Sequence, residues 1–495
     1  MAVTMRANVI RLVLALTATA AFGQGWVGQQ MVSRPDSWSD QAPCVAMDAS
    51  GNPWVMWDRN SDETTLYYSR WLGDSWGIPV GVGRNAPGLR MRLNTSLAFD
   101  DEDHVWAVWC NAFENNMDDI GASVWADTSW SSEIQVNLPD STELDFMPKV
   151  ACGGGQVWCV WYGGPTDMSP YSVFASRWYD SAGFWYPEMQ VSPPDGTYHW
   201  WCDLAVDANG TPHVVWCNSS RRLILYSYFD GAGWLGPTAV NDTVAVGATG
   251  WSDPHIAIDN AGVLHVCYTG VAQGATGRDI FYSRNDGTGW TPSVRVTSDT
   301  AHNYNEWYSD IAADRPDNVW VAWDRQGEGS DGFRVYAAHY DGNQWSPEQR
   351  LDDSDSMSYD DHLPDISLDG QGEPWVVWQA VSYLSGDFDV YYNRFTSAGL
   401  QDASNQSTFS EFELRCATLS PGQPIAVTYT LQAPSHINLR VFDQVGRCVA
   451  NLAEGNRAAG IHSTLWRGNS PSGVYFCRLS AEKCMTTQKI VLTGR

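Results

Sequence analysis

Two Asp-Arg pairs are the first residues of this chain whose types suggest chemistry. Asp58-Arg59 and Asp324-Arg325 each follow a short aromatic segment, "WVMW" and "WVAW". Paired carboxylate and guanidinium groups can bind the hydroxyl or carboxylate groups of a ligand, and a carboxylate can also transfer a proton. The same pairs can be surface ion pairs that contribute little. The sequence leaves both interpretations open.

The two aromatic segments belong to a motif that occurs seven times, and a second set of reactive residues precedes it. Eight residues before its first residue the chain has Asp40, Arg92, Leu144, His199, Trp251, Glu306 and Asp361, and seven before it Gln41, Leu93, Asp145, Trp200, Ser252, Trp307 and His362. Two carboxylates across a pocket could hydrolyse a glycosidic bond, with Glu306, Asp361 and Asp40 as the candidates. A polysaccharide lyase would instead take a base from His or Tyr and neutralise an acid with Arg. Its candidates are His199, His362, Tyr308 and Arg59.

These positions divide into a charged half and an aromatic half. Aromatic faces stack on sugar rings, and carboxylate-arginine sets bind hydroxyl or carboxylate groups. We therefore expect a glycan as ligand, with an extracellular protein as the alternative. The predicted ligand-binding residues are Asp58, Arg59, Arg92, Trp200, Trp201, Trp251, Trp307, Tyr308, Asp324 and Arg325. Whether the site is catalytic stays open, because a fold of this type serves binding and catalysis alike.

The repeated motif predicts the architecture that positions these residues. Its first residue is Asp48, Asp100, Cys152, Asp207, Asp259, Asp314 or Asp369, and its last, nine residues later, is Trp57, Trp109, Trp161, Trp216, Tyr268, Trp323 or Trp378. Successive copies lie 52 to 55 residues apart. A fixed period of this size, with four short strand-like segments in each repeat, is typical of a β-propeller. We predict seven blades over residues 24–397, with a central pocket at one face.

The last blade lacks its fourth strand, and the N-terminus supplies a candidate. Trp76, Trp130, Trp185, Trp234, Trp290 and Trp345 open the fourth strand of six repeats. Trp26 lies 22 residues before Asp48, as Trp130 lies 22 before Cys152. The segment Gly25–Ser33 is therefore predicted to complete the last blade, which leaves no open sheet edge in the ring.

The turn before the fourth strand resembles a known motif. "SRNDGTGW", Ser283 to Trp290, has Ser, a polar residue two positions on, Gly four on and Trp seven on. This resembles the Asp-box, or BNR-type, turn of sialidase-like propellers, with Asn285 in the Asp position. The resemblance implies a structural latch and supports the fold. Arg59, Arg92 and Arg325 could imitate the arginine triad of sialidases, but the Arg-Ile-Pro signature is absent and those propellers have six blades, so no sialidase role is carried over.

The C-terminal segment differs in composition from the repeats. Residues 398–410 form a polar linker, and alternating strands in residues 411–495 predict a small β-sandwich. Val441-Phe442-Asp443, Ala459-Gly460, Trp466, Ser472-Gly473-Val474-Tyr475 and Lys489-Ile490-Val491-Leu492 resemble the C-terminal sorting domain of type IX secretion cargo. The resemblance implies export across the outer membrane by a dedicated machinery. An accessory Ig-like module is the alternative.

Composition limits the compartment and the partners. Residues 1–23 have the basic start, short apolar segment and small residues of a signal peptide, so we expect a secreted or cell-surface protein. A net charge of -28 opposes a broad nucleic-acid or anionic-membrane surface. No transmembrane segment and a monomer are expected. No cofactor is expected. The one Ca²⁺ candidate is the acidic segment Leu351–His362, but it lacks EF-hand spacing, and a solvated loop is the favoured interpretation.

Overall fold

All regular structure in the described part of the chain is β-strand, which confirms the all-β prediction. The computed structural model describes residues 25–34, 36, 38–60, 66–82, 89–113, 118–126, 128–138, 143–165, 170–242, 246–248, 252–275, 277–298, 304–326, 332–352, 358–382, 386–397, 412–418, 425–431, 435–443, 447–457, 460–466, 473–481 and 484–492. Within these ranges no helix could cross a membrane. The predicted signal peptide and linker lie outside them.

Seven antiparallel sheets, here called blades, follow two short N-terminal strands, β1 (Gly25–Trp26) and β2 (Gln30–Met31). Blade 1 contains β3 (Ser39–Met47), β4 (Pro53–Asn60), β5 (Leu66–Arg70) and β6 (Val80–Val82). Blade 2 contains β7 (Leu89–Phe99), β8 (Val105–Phe113), β9 (Asp118–Ala126), β10 (Ser129–Trp130) and β11 (Ile134–Gln135). Blade 3 contains β12 (Glu143–Gly153), β13 (Gln156–Pro165), β14 (Ser172–Tyr179), β15 (Phe184–Trp185) and β16 (Met189–Gln190). Blade 4 contains β17 (His199–Val206), β18 (Pro212–Asn218), β19 (Leu223–Phe229) and β20 (Trp234–Ala239).

The remaining blades have the same order. Blade 5 contains β21 (Val246–Ala248), β22 (His255–Ile258), β23 (Leu264–Ala272), β24 (Asp279–Asn285) and β25 (Val294–Arg295). Blade 6 contains β26 (Glu306–Arg315), β27 (Asn318–Gln326), β28 (Phe333–Tyr340) and β29 (Gln349–Arg350). Blade 7 contains β30 (Ser358–Leu368), β31 (Pro374–Ser382) and β32 (Phe388–Thr396). The first strand of each blade, the inner strand, packs against the inner strands of its two neighbours, and β30 packs against β3, so the ring is closed.

The N-terminal segment completes blade 7, as predicted. Gly25 and Trp26 pair with Thr396 and Phe395, and Gln30 pairs with Tyr392. The Trp26 ring lies 5.8 Å from the ring of Trp320 in blade 6. Trp26 therefore takes the place of the tryptophan that opens the fourth strand in the other blades.

The repeated Asp closes the hairpin between the first two strands of a blade. Asp48 Oδ1 accepts the backbone N–H groups of Ser50 at 3.0 Å and Asn52 at 2.8 Å. Asp100, Asp207, Asp259 and Asp369 make the same two contacts. A short carboxylate satisfies the turn N–H groups in this way because its side chain reaches two to four residues ahead. The predicted hairpin turn is confirmed.

The second strand of each blade carries the last residue of the repeated motif and is buried between neighbouring blades. Trp57, Trp216, Trp323 and Trp378 are fully buried. The predicted latch before the fourth strand is also present: Ser283 Oγ donates to the Thr291 carbonyl at 2.7 Å. Ser69, Ser123, Ser176 and Ser227 make the equivalent contact in four other blades, where it joins the third strand to the segment that leads into the fourth.

Residues 399–495 form a second compact unit. One sheet contains β33 (Phe412–Thr418), β34 (Ile425–Leu431) and β37 (Gly460–Trp466); the other contains β35 (Ser435–Asp443), β36 (Cys448–Arg457), β38 (Gly473–Ala481) and β39 (Cys484–Leu492). The core takes Val427 and Trp466 from one sheet and Leu439 and Cys477 from the other. This is the predicted small β-sandwich.

Candidate functional site

The inner strands carry a bulge that builds the near face of the ring, where inner strands begin and second strands end. The register shifts in six inner strands, as between Gln41 and Cys44 in β3. Six residues at these bulges have a left-handed φ: Ala42, Asn94, Met147, Trp201, Tyr308 and Leu363. Such a φ is uncommon outside glycine, and a bulge redirects the side chains around it. Here it turns them toward the axis.

A cavity of about 300 Å³ lies at the axis, and all seven blades line it. Its wall contains Ala42, Pro43, Asn94, Thr95, Met147, Pro148, Lys149, Trp201, Asp253, His255, Tyr308, Ser309, Leu363, Pro364 and Asp365. Of the residues predicted to bind ligand, Trp201 and Tyr308 line it. The charged lining residues Lys149, Asp253, His255 and Asp365 were not among the predictions.

Five of the seven inner strands bring an ionisable Asp, His or Lys to one level just below the bulges. Each strand pairs one residue with the position before the repeated Trp or Tyr: Cys44, Ser96, Lys149, Asp203, His255, Asp310 and Asp365. Six of these lie four residues before the start of the motif. Lys149 lies three before it, because the blade 3 hairpin is shorter, with Gly153 paired to Gln156. Alignment of this position would have found the set.

Side chains of this level also join neighbouring blades. Asp203 Oδ2 accepts the Ile256 N–H at 2.9 Å, and Asp310 Oδ2 accepts the Ile366 N–H at 2.8 Å. Asp365 Oδ1 accepts the Val45 N–H at 2.9 Å, which joins blade 7 to blade 1. One carboxylate oxygen of each residue is therefore structural.

His255 is the centre of the charge cluster. Its Nδ1 lies 3.0 Å from Asp310 Oδ1 and 3.6 Å from Asp203 Oδ2, and its Nε2 lies 3.5 Å from Asp253 Oδ2. Burial and Lys149 lower the pKa of His255, but Asp253 and Asp310 outweigh them and raise the pKa well above its ordinary value. The imidazole therefore keeps its charge to higher pH than an ordinary histidine does.

The same surroundings raise the pKa of both Lys149 and Asp365, with opposite effects on their charge. Burial lowers the pKa of Lys149, but nearby carboxylates, Asp203 foremost, outweigh burial and raise it. Burial and the charge of Asp310 raise the pKa of Asp365 above that of an ordinary carboxyl. The cavity thus holds a charged ammonium next to a carboxyl that keeps its proton to higher pH than usual.

Two of the five candidate catalytic residues instead hold buried tryptophans. Trp216 Nε1 donates to His199 Nδ1 at 2.8 Å, and Trp378 Nε1 donates to Asp361 Oδ1 at 2.9 Å. Because its Nδ1 accepts, the neutral His199 ring carries its proton on Nε2, 3.1 Å from Asp195 Oδ1. Burial lowers the pKa of His199. The structure does not bring His199 or Asp361 to the cavity, which corrects the expectation that the eighth position surrounds it.

The other two acidic candidates pair with the predicted arginines. Asp40 and Arg59 make two contacts, at 2.6 and 2.7 Å, and the Arg325 Nε lies 2.7 Å from Glu306 Oε1. Asp40 and Glu306 are 0% and 1% exposed. Each arginine therefore contacts the buried acid eight residues before the motif, and not the aspartate beside it in the sequence.

Asp58 and Asp324 connect blades rather than facing the cavity. Asp58 Oδ2 accepts the N–H of the bulge residue Asn94 at 2.8 Å, and Asp324 Oδ2 accepts that of Leu363 at 3.2 Å. His362 Nδ1 lies 3.1 Å from the same Asp324 oxygen. These residues fix the bulges whose neighbours line the cavity, so their contribution to the site is indirect.

The remaining predicted residues lie around the cavity without lining it. Arg92 Nη2 lies 2.7 Å from Glu133 Oε2, and Trp200 packs into the core between blades 3, 4 and 5. Trp307 stacks on the lining residue Tyr308, with ring centres 6.4 Å apart. Trp251 lies outside the described residues.

The structure gives no metal centre in its described ranges. No three His, Cys, Asp or Glu residues there are arranged to hold an ion. The acidic segment Leu351–His362 is described only in part, since residues 353–357 lie outside. Cys202 and Cys217, the two cysteines of the first two strands of blade 4, do not pair with each other in register: their partners are Trp216 and Trp200.

No protein-family model matches the chain, and no curated protein matches it. Among solved structures, an ulvan lyase is similar over 73% of this chain and 95% of its own, at 11% identity and a TM-score of 0.49. An α-L-arabinanase from Penicillium chrysogenum covers 75% of this chain and 98% of its own, at 10% identity and a TM-score of 0.45. A Hadza microbial sialidase covers 69% and 76%, at 12% identity and a TM-score of 0.40. Likeness at this level does not identify a ligand or an activity.

Proposed function

We propose that the ring binds a glycan in its central cavity. The observation that carries this proposal is the mixed lining, in which Trp201 and Tyr308 stand beside Asp253, His255 and Lys149. An aromatic face stacks on the apolar face of a sugar, and charged groups hydrogen-bond its hydroxyls. A concave apolar site with a few converging polar groups is the usual form of a small-ligand site. An extracellular protein segment is the alternative ligand.

A glycan array followed by calorimetry on the hits tests this proposal. Trp201→Ala and Tyr308→Ala should each weaken binding about tenfold or more, the effect of losing one ring contact of about 1.4 kcal/mol. The matched control is Tyr179→Ala, an exposed aromatic near the opposite face, which should leave binding unchanged. Absence of any glycan hit would exclude the proposal and favour the protein ligand.

A hydrolase is the second candidate, and one feature of the cavity favours it. Asp365 and Asp253 line the same space, and Asp365 has a raised pKa. A carboxyl that keeps its proton to higher pH, with a second carboxyl group lining the same cavity, matches the acid and its partner in a glycosidase. Asp365→Asn and Asp253→Asn should abolish turnover while sparing binding. If the wild-type protein releases no reducing ends or unsaturated products from a broad polysaccharide panel, the enzyme hypothesis fails.

We also propose that the chain is exported and that residues 411–495 act as its sorting domain. The sequence resemblance of that segment and the signal-peptide pattern of residues 1–23 support this. Expression in a host with the type IX pathway tests it. The full chain should reach the cell surface or medium, and a chain ending at residue 410 should remain inside the outer membrane. Equal export of both chains would contradict the sorting role.

A further inference from the structure

Arg278, on the near face, has no acidic partner among the described residues. It precedes β24 and forms a bridge with Asn305, the residue before β26. Its guanidinium carbon lies 3.8 Å from the centre of the Trp307 ring, and its Nε is buried without a hydrogen bond. Burial lowers its pKa, and no neighbouring carboxylate opposes that effect. A half-buried guanidinium with unused donors is costly unless something else binds it.

Other arginines of this face are neutralised by the protein itself. Arg59 contacts Asp40, Arg92 contacts Glu133, and Arg325 contacts both Glu306 and Glu348, all at 2.6 to 2.9 Å. Acids are plentiful in a chain of net charge -28. Because no described acidic residue pairs with Arg278, it differs from the arginines that build the blades.

Arg278 is joined to the cavity by an aromatic ledge, defined as Trp307 and Tyr308. The guanidinium lies over Trp307, Trp307 stacks on Tyr308, and Tyr308 lines the cavity. Lys149 lines the same cavity and supplies a second cation there. A guanidinium stacked on a ring keeps its N–H groups at its edge, where a planar anion can accept two of them.

We propose that Arg278 binds an anionic group, a carboxylate or a sulfate ester, on a glycan that lies along the Trp307–Tyr308 ledge and enters the central cavity. This rests on the proposed glycan-binding function and specifies its ligand class. The net charge of the chain does not oppose a local contact, because fields are screened beyond about 8 Å at physiological ionic strength. A glycan with one sugar ring on the ledge and its acidic group at Arg278 would contact the aromatic rings and the guanidinium at the same time.

A paired array tests the ligand class. It presents oligogalacturonates and their neutral methyl esters, together with sulfated galactans and their desulfated forms. Binding of the acidic member of a pair at least tenfold more tightly than its neutral form is the expected result, and the two pairs distinguish carboxylate from sulfate. Equal or tighter binding of the neutral forms overturns the inference and leaves glycan binding intact. Binding of no glycan on this and a broad neutral array overturns both.

Matched arginine variants test the residue. Arg278→Gln should weaken binding of the acidic hit about tenfold or more and leave its neutral form unchanged, as expected for a charge-assisted hydrogen bond. Arg278→Lys should restore only part of this binding, because lysine keeps the charge but lacks the forked donor geometry of the guanidinium. The control is Arg177→Gln: Arg177 also stacks on an aromatic ring, Tyr186 at 4.7 Å, near the opposite face. If Arg278→Gln binds like the wild type while Trp201→Ala does not, the inference is wrong and the cavity remains the site.

Discussion

Arg59 and Asp40 form a buried two-point ion pair, with Nε–Oδ1 at 2.6 Å and Nη2–Oδ2 at 2.7 Å. The guanidinium also lies 4.3 Å from the centre of the Tyr67 ring. Blade 6 repeats the arrangement with Arg325 against Glu306 and, again at 4.3 Å, over Tyr336. An acidic residue, an arginine and a tyrosine occupy equivalent positions of the two blades. The pair is therefore part of how a blade is built.

Breaking this pair should destabilise the ring. Asp40→Asn leaves the Arg59 charge buried with only Asp36, which is 35% exposed, as its acid. Removal of one partner of a buried pair costs about 3–5 kcal/mol, because the other charge stays uncompensated. The free energy of unfolding in urea measures this. Asp36→Asn is the matched control and should cost at most about 1 kcal/mol; a similar loss in both variants would contradict the central role of Asp40.

Glu306 predicts a pH dependence of stability. Burial is the main cause that raises its pKa from 4.5 to about 8, against the effect of Arg325, and its Oε2 is buried without a hydrogen bond. Between these two values the folded state holds a proton that the unfolded chain has lost, so the free energy of unfolding falls as pH rises. One group contributes at most about 1.4 kcal/mol per pH unit.

Unfolding curves from pH 4.5 to 8.5 check this, with Glu306→Gln as the comparison. Gln does not titrate, so the variant should lose the part of the slope that belongs to residue 306. Identical slopes in both proteins would mean that Arg325 keeps Glu306 ionised throughout the range.

Asp58 should contribute to the stability of the ring through its acceptor oxygen rather than through its charge. Asp58→Ala removes the acceptor for the Asn94 N–H at the blade 2 bulge and should lower the free energy of unfolding by about 1–3 kcal/mol. Burial raises the pKa of Asp58 well above its ordinary value, so Asp58→Asn, which keeps an acceptor, should stay near the wild type at pH 7. Thermal unfolding of the two variants distinguishes the roles. Equal losses would show that the charge is needed.

The repeat period made the strands, turns and ring closure predictable from sequence. The Asp and Trp of the motif, as in Asp48 and Trp57, recur at one spacing because every blade packs in the same way. Trp26 lies at the position where that spacing predicts the missing fourth strand of the last blade. These features depend on local turn chemistry and on burial, which residue types report directly.

The cavity was not predictable in the same way, because the bulge changes which side chains face the axis. Its lining includes Ala42, Met147 and Trp201, and these residue types do not indicate a left-handed φ in the sequence. A fixed spacing from the repeated Asp therefore predicts the eighth position, where His199 and Asp361 bind buried tryptophans instead of lining the cavity. Most lining residues lie five or six positions before the start of the motif, at the bulge itself, and His255 and Asp365 lie four before it.

The N-terminal strands should control both stability and solubility. A chain without residues 25–33 leaves the β32 edge unpaired, and an open edge recruits other chains. It also loses Trp26 from the blade 6 contact and Ser33 Oγ from Asp389, at 2.8 Å. We expect a lower Tm and concentration-dependent aggregation by light scattering. A synthetic peptide of residues 25–34 should restore both, by an amount that grows with its concentration since it binds the folded ring. The same peptide with Trp26→Ala should restore less; a shortened chain with unchanged Tm and no aggregation would show that blade 7 does not need the N-terminus.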